Sequence, residues 1–143
     1  MERRKFVKGL AVGTIALMAN IDIARAQKGL HRLINKKSPS ILEKKHVPLI
    51  VAPNEVKKGQ WFNVEVRVGF QIEHPSTPGH WIEEITLLVN GKKVTEIENE
   101  TGGLTSPNGH FNIRLNESAT LEAIADCNLH GKWISEPVKI KVV

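Results

Sequence analysis

Trp61-Phe-Asn-Val-Glu-Val-Arg-Val68 alternates residue by residue. Phe62, Val64, Val66 and Val68 fall on one face, and Trp61, Asn63, Glu65 and Arg67 on the other. Period two with β-branched residues predicts a half-buried strand. The pattern repeats downstream. Trp81 to Val89 reads as a second strand, Asn90-Gly91 as a tight hairpin turn, and Lys92 to Ile97 as the returning strand. Gly102 to Gly109 is a loop of Gly, Ser, Pro and Asn. Phe111 to Leu115, Leu121 to Ala125 and Val138 to Val143 complete the set. About seven short strands with turns between them predict an all-β fold: an immunoglobulin-like antiparallel β-sandwich with two sheets. No internal repeat is evident.

The chain has 143 residues, enough for one core of moderate size. Residues 44–143 hold the predicted sandwich. Residues 27–43 are basic and weakly patterned, with Lys28, Arg32, Lys36 and Lys37, and read as an arm or linker. Within it Leu30, Leu33 and Ile34 suggest one face of a short helix, stopped by Ser38-Pro39-Ser40. Residues 1–26 have the order of an export signal. Basic Glu2-Arg3-Arg4-Lys5-Phe6-Val7-Lys8 precedes an apolar run from Gly9 to Ala19, and Ala24-Arg25-Ala26 offers small residues for cleavage. The Arg-Arg pair resembles a twin-arginine signal, a route that carries folded proteins, so a periplasmic or otherwise exported location is expected. The apolar run is far short of the ~20 residues that span a bilayer, so no stable membrane span is expected.

The net charge of +5 is unevenly placed. Residues 1–26 carry five Lys/Arg and two Asp/Glu, leaving 15 Lys/Arg and 13 Asp/Glu beyond them. The basicity therefore belongs largely to the leader, and a nucleic-acid partner is not expected. A single cysteine, Cys127, excludes an intrachain disulfide framework.

Three short blocks hold that cysteine and four of the six histidines: Lys45-His46-Val47-Pro48, His74-Pro-Ser-Thr-Pro-Gly-His80 and Cys127-Asn-Leu-His130-Gly131. Singly, each is ordinary. A lone histidine beside a strand is more often a hydrogen-bonded structural residue, and Cys-x-x-His pairs occur by chance. Together they lie at predicted strand ends and loops, where a sandwich displays sites. Pro75 and Pro78 stiffen the middle block and lower the entropy lost in presenting His74 and His80. Four imidazoles and a thiolate make five donors. Structural zinc closes at four, so five donors with an open sixth position favour iron and chemistry. His31 and His110 lie outside the blocks and are not counted as ligands. Trp61, Trp81 and Trp133 read as sandwich core or site shielding.

The three blocks, in order and spacing, resemble those of the superoxide reductases, or neelaredoxins, and of the iron domain of desulfoferrodoxin. The resemblance runs from about Glu43 to Val143. It implies an immunoglobulin-like sandwich holding one square-pyramidal iron per chain. His46, His74, His80 and His130 would be the equatorial imidazoles and Cys127 the axial thiolate. With only Cys127, the cysteine-rich second domain of desulfoferrodoxin cannot be built, which places the chain with the single-centre class. The activity implied is reduction of superoxide to hydrogen peroxide. Ferrous iron would supply the electron, and Cys127 would push electron density toward the vacancy.

The family commonly reads Glu-Lys-His-Val-Pro, whereas this chain reads Glu43-Lys44-Lys45-His46-Val47-Pro48. Lys45 keeps the lysine place and is the candidate for attracting the superoxide anion. Lys44 stands where the family's glutamate can close the sixth position, and Glu43 lies one residue further out. The implied partners are an electron donor, rubredoxin-like or another periplasmic redox protein, and further copies of the chain in a homodimer or homotetramer. The competing reading is a non-catalytic β-sandwich, a carrier or binding subunit of a periplasmic redox complex with structural histidines.

Overall fold

The computed structural model describes residues 29–143; the leader expected over residues 1–26 lies outside them. Among the described residues the chain forms one short helix, α1 (Ile41–His46), and nine strands. In chain order these are β1 (Pro48–Val51), β2 (Glu55–Val56), β3 (Phe62–Val68), β4 (Ile82–Val89) and β5 (Lys92–Glu98). Then come β6 (Gly109–Ile113), β7 (Ala119–Cys127), β8 (Gly131–Ile134) and β9 (Val138–Val142).

The strands make two sheets. The smaller has the order β1-β3-β6, all antiparallel. The larger runs β2-β9-β7-β4-β5. Opposite β4, strand β7 pairs with β9 along its first residues and with β8 along its last. The β2–β9 pair is parallel and the others are antiparallel. The sandwich read from the sequence is therefore present. The strands that alternation did not reveal are β1, β2 and β8, which have four residues or fewer.

Val64, Val66 and Val68 of β3 are fully buried against Ile85 and Leu87 of β4, Leu121, Ala123 and Ala125 of β7, and Ile140 of β9. Each large side chain of this kind contributes about 1.5–3 kcal/mol. This layer, not the polar end described below, holds the scaffold. The hairpin between β4 and β5 turns at Asn90 and Gly91, with φ of 51° and 78°. Two successive positive φ values are what an Asn-Gly turn supplies.

Three expectations need correction. The stretch around Leu30 to Ile34 is not helical. His31 instead forms a parallel bridge to Trp133, and Leu30 packs on a small cluster of Leu88, Ile124 and Ile134 on the large sheet. Ser38-Pro39-Ser40 does not stop a helix but precedes one. Ser40 is the N-cap of α1: its hydroxyl accepts from the Glu43 N–H, and Glu43 reaches back to the Ser40 N–H. This reciprocal capping box satisfies two otherwise orphaned donors. Of the tryptophans, Trp61 is not core. It is 58 % exposed and lies beneath the Arg114 guanidinium, 4.5 Å from the ring centre.

Candidate metal centre

His46 is the last residue of α1 and almost wholly buried. Its Nδ1 lies 2.8 Å from the Leu42 carbonyl oxygen one turn earlier. A carbonyl only accepts, so Nδ1 carries the proton and Nε2 presents a lone pair. Residues 69–72 dock on the end of this helix. Phe70 N–H donates to the Val47 carbonyl, and the Gln71 and Ile72 N–H groups donate to that of Lys44. Gly69 lies so close that a Cβ there would collide with the backbone of Lys44 and Lys45. The helix carrying His46 and the loop leading to His74 are thus one packed unit.

His74 is equally buried and held in the same way. Its N–H donates to the Val68 carbonyl at 2.8 Å, and its Nδ1 donates to the Pro75 carbonyl at 2.8 Å. His80 closes a tight turn in which it exchanges backbone hydrogen bonds with Thr77. Gly102 packs against Thr77 and the Trp81 ring, and a side chain there would strike both.

Cys127 ends β7, buried, facing Ile82 on one side and Gly131 on the other. The β4–β7 register shifts between Ile82 and Glu84, a bulge beside the cysteine. His130 sits in the turn that follows and is exposed, with Nδ1 3.7 Å from Cys127 Sγ. Asn128 ties this turn to the histidine loop. Its side-chain oxygen accepts from Trp81 N–H at 2.9 Å, and its amide donates to the Gly79 carbonyl at 3.0 Å.

The four imidazoles form a square. Neighbouring ring centres are 4.8 Å apart for His46–His74, 4.6 Å for His74–His80, 5.2 Å for His80–His130 and 4.9 Å for His130–His46. Every neighbouring pair is edge-on, and the His46–His80 diagonal is 6.4 Å. Donor atoms of His46, His80, Cys127 and His130 all lie within 4.8 Å of one another. His74 joins through its two neighbours.

Burial sets the charge states. Desolvation lowers the pKa of His46 and His80 and takes His74 from 6.5 to about 4, so these rings are neutral near pH 7. Burial also pushes the Cys127 thiol up, while the N–H groups of Leu129 and His130 pull it partly back. A bound cation is what such a thiol requires to ionise. The donor set fits a metal on one further observation. The Nε2 atoms of His46, His74 and His80 are buried and have no hydrogen-bond partner. Each orphaned group costs about 1–3 kcal/mol, and coordination would relieve it.

The other expected site residues separate. Lys45 is close enough for its charge to lower the pKa of both His46 and His80. Lys44 offers its carbonyl to the docking loop. Glu43 is buried, with Oε1 accepting from Ser40 N–H at 2.7 Å and Oε2 from Ile34 N–H at 3.0 Å. These bonds, Ser40's foremost, hold its carboxyl below the usual range. Sequence reasoning missed the bridging role of Asn128, the close approaches at Gly69 and Gly102, and the capping role of Glu43. Only the last had a readable signal, the Ser-x-x-Glu spacing.

Imidazole nitrogens and a sulfur converging at one end of a two-sheet sandwich define a mononuclear metal-binding β protein. Comparison with known proteins narrows the class. The desulfoferrodoxin family model matches residues 38–136. The superoxide reductase of Thermococcus kodakarensis is 38 % identical over 102 residues, covering 64 % of this chain and 84 % of that one. The superoxide reductase of Pyrococcus horikoshii is 36 % identical over 103 residues, with the same coverage of each. Among solved structures, the neelaredoxin of Ignicoccus hospitalis superposes with a TM-score of 0.69 at 31 % identity, covering 81 % of this chain and 97 % of that chain. The chain belongs to the desulfoferrodoxin family.

Proposed function

We propose that the protein is a superoxide reductase that works outside the cytoplasm, delivered there by a twin-arginine leader. The observation that carries the activity is the convergence of His46, His80 and His130 donor atoms with the buried Cys127 sulfur, together with the unpartnered Nε2 atoms of His46, His74 and His80. Membership of the desulfoferrodoxin family and the superoxide reductases among its relatives support the same reading.

His46, His74, His80, His130 and Cys127 would hold the iron. Bound there, iron would supply the one electron that superoxide needs. The protein's residues do the rest. The Leu42 and Pro75 carbonyls hold the His46 and His74 rings by Nδ1, which leaves each Nε2 free for the metal. The N–H groups of Leu129 and His130 lie against the sulfur and moderate its donation. Lys45 places a positive charge beside His46 and His80, which draws the anion in. His130 is exposed, so water reaches the site and supplies the protons that hydrogen peroxide requires. Glu43 serves the helix rather than the metal, and Lys44 serves the docking loop. A rubredoxin-like or periplasmic redox protein restores the electron, and the chain assembles as a homodimer or homotetramer.

Among the described residues no helix is long and apolar enough to cross a membrane. Export is tested by replacing Arg3-Arg4 with two lysines, which should leave the precursor inside the cell. The activity is tested on anaerobically purified protein. Stoichiometric iron, a thiolate charge-transfer band on oxidation that Cys127→Ser abolishes, and consumption of superoxide by the ferrous protein are expected. Tightly held zinc with no redox change would sink the reading.

A further inference from the structure

We infer that His31 and Trp133 form an aromatic relay that carries the electron from the donor protein to the metal held by His46, so that the arm preceding α1 is the point of electron entry. The inference rests on the superoxide-reductase reading.

The geometry is a continuous stack. The His31 and Trp133 ring centres are 4.4 Å apart with planes inclined by 28°. Trp133 and His46 are 5.0 Å apart and inclined by 25°. The four imidazoles, by contrast, meet their neighbours edge-on. The stack also runs in a useful direction: His31 is exposed, while Trp133 and His46 are buried. It therefore joins solvent to a candidate ligand through two ring contacts. Electron tunnelling falls steeply across empty gaps and less steeply across contiguous conjugated groups, so this path is favoured over one through the aliphatic core.

The rings are held in place. His31 N–H donates to the Lys132 carbonyl at 2.8 Å, and Ile134 N–H donates to the His31 carbonyl at 2.9 Å. Trp133 Nε1–H donates to the His130 carbonyl at 3.1 Å. Leu30 in the small apolar cluster and the Lys36–Glu136 ion pair fasten the arm on either side. His31 also precedes residues 38–136, where the family match lies. In each transfer the reduced donor loses one electron and the ferric centre gains it. No bond or proton changes at His31 or Trp133.

The test uses the iron-loaded full chain and the variants His31→Leu, Trp133→Leu and Trp133→Phe. Visible spectrum and reduction potential report the centre, and mixing the ferrous protein with superoxide reports the oxidative step. Re-reduction of the ferric protein is then timed with reduced rubredoxin, and with ascorbate, which reaches the open site directly. Both leucine variants should slow re-reduction by rubredoxin severalfold, and Trp133→Phe less. In His31→Leu the spectrum, potential, superoxide step and ascorbate rate should stay unchanged. Equal rubredoxin rates in His31→Leu and the unaltered chain would overturn the relay. So would a slowing that follows a shifted potential, because Trp133 would then only position His46. Failure of the unaltered ferrous protein to consume superoxide is a separate result, and removes the activity instead.

Discussion

Asn128, the residue after Cys127, spends its side chain on the segment that carries another candidate ligand, His80. It accepts from Trp81 N–H and donates to the Gly79 carbonyl, on either side of His80, while standing next to Cys127. Asn128→Ala should cost about 1–3 kcal/mol of stability, read from urea unfolding. It should also weaken metal binding by roughly 10–100-fold, read from metal titration. Lys45, in the proposed function, would act through charge instead. In Lys45→Ala, iron content should be unchanged, while the rate constant with superoxide falls and loses its dependence on ionic strength. Lys44→Ala should leave both close to the parent; an equal effect from the two lysines would count against a specific role for Lys45. At this scale the fold brings the five candidate donors together, and they were legible in the sequence from residue type and spacing. The partners of Asn128 were not, because they exist only once the register sets Ile82 opposite Cys127.

Helix α1 shows how an element is placed by its ends. Ser38-Pro39-Ser40 disfavours a helix interior, and for that reason reads as a stop. The same Ser is a good N-cap, and Glu43 three residues later decides for a start. Alternation located β3 and the β4–β5 hairpin because those strands are long enough to show a period. Strands of two to four residues, such as β2 and β8, show none and form because longer neighbours offer them an edge. The contact between α1 and the loop after β3 depends on a missing side chain. Gly69→Ala would push a methyl into the backbone of Lys44 and Lys45. Overpacking of this kind costs about 1–3 kcal/mol, seen as a lower urea midpoint. Because the strain lies between His46 and His74, metal affinity should fall as well. A variant with parental affinity would show that the two segments are not coupled.

Over the whole molecule, the candidate ligands come from the end of a helix, a loop and turn between β3 and β4, and the end of β7 with the turn that follows it. The scaffold buries His46 and His74 and half-buries His80 as neutral imidazoles, and this has a pH consequence for the metal-free protein. Unfolded imidazoles titrate near 6.5, whereas His74 is held at about 4 and His46 and His80 are also lowered. As pH falls below 6.5, the unfolded chain takes up protons first. Stability is therefore fullest above that value and declines on the way down to about 4. Metal-free protein should have a lower urea midpoint at about pH 5 than at neutrality, and His74→Phe should flatten the difference. The separation of the ligands has another consequence. Donors lying 84 positions apart along the chain, His46 and His130, meet only after both sheets have paired and β7 has found β4. A half-folded chain can present fragments of the square but not the whole of it. Occupancy of the centre is therefore a receipt for completed folding, and on the export route proposed above it would be stamped before the chain met a translocase.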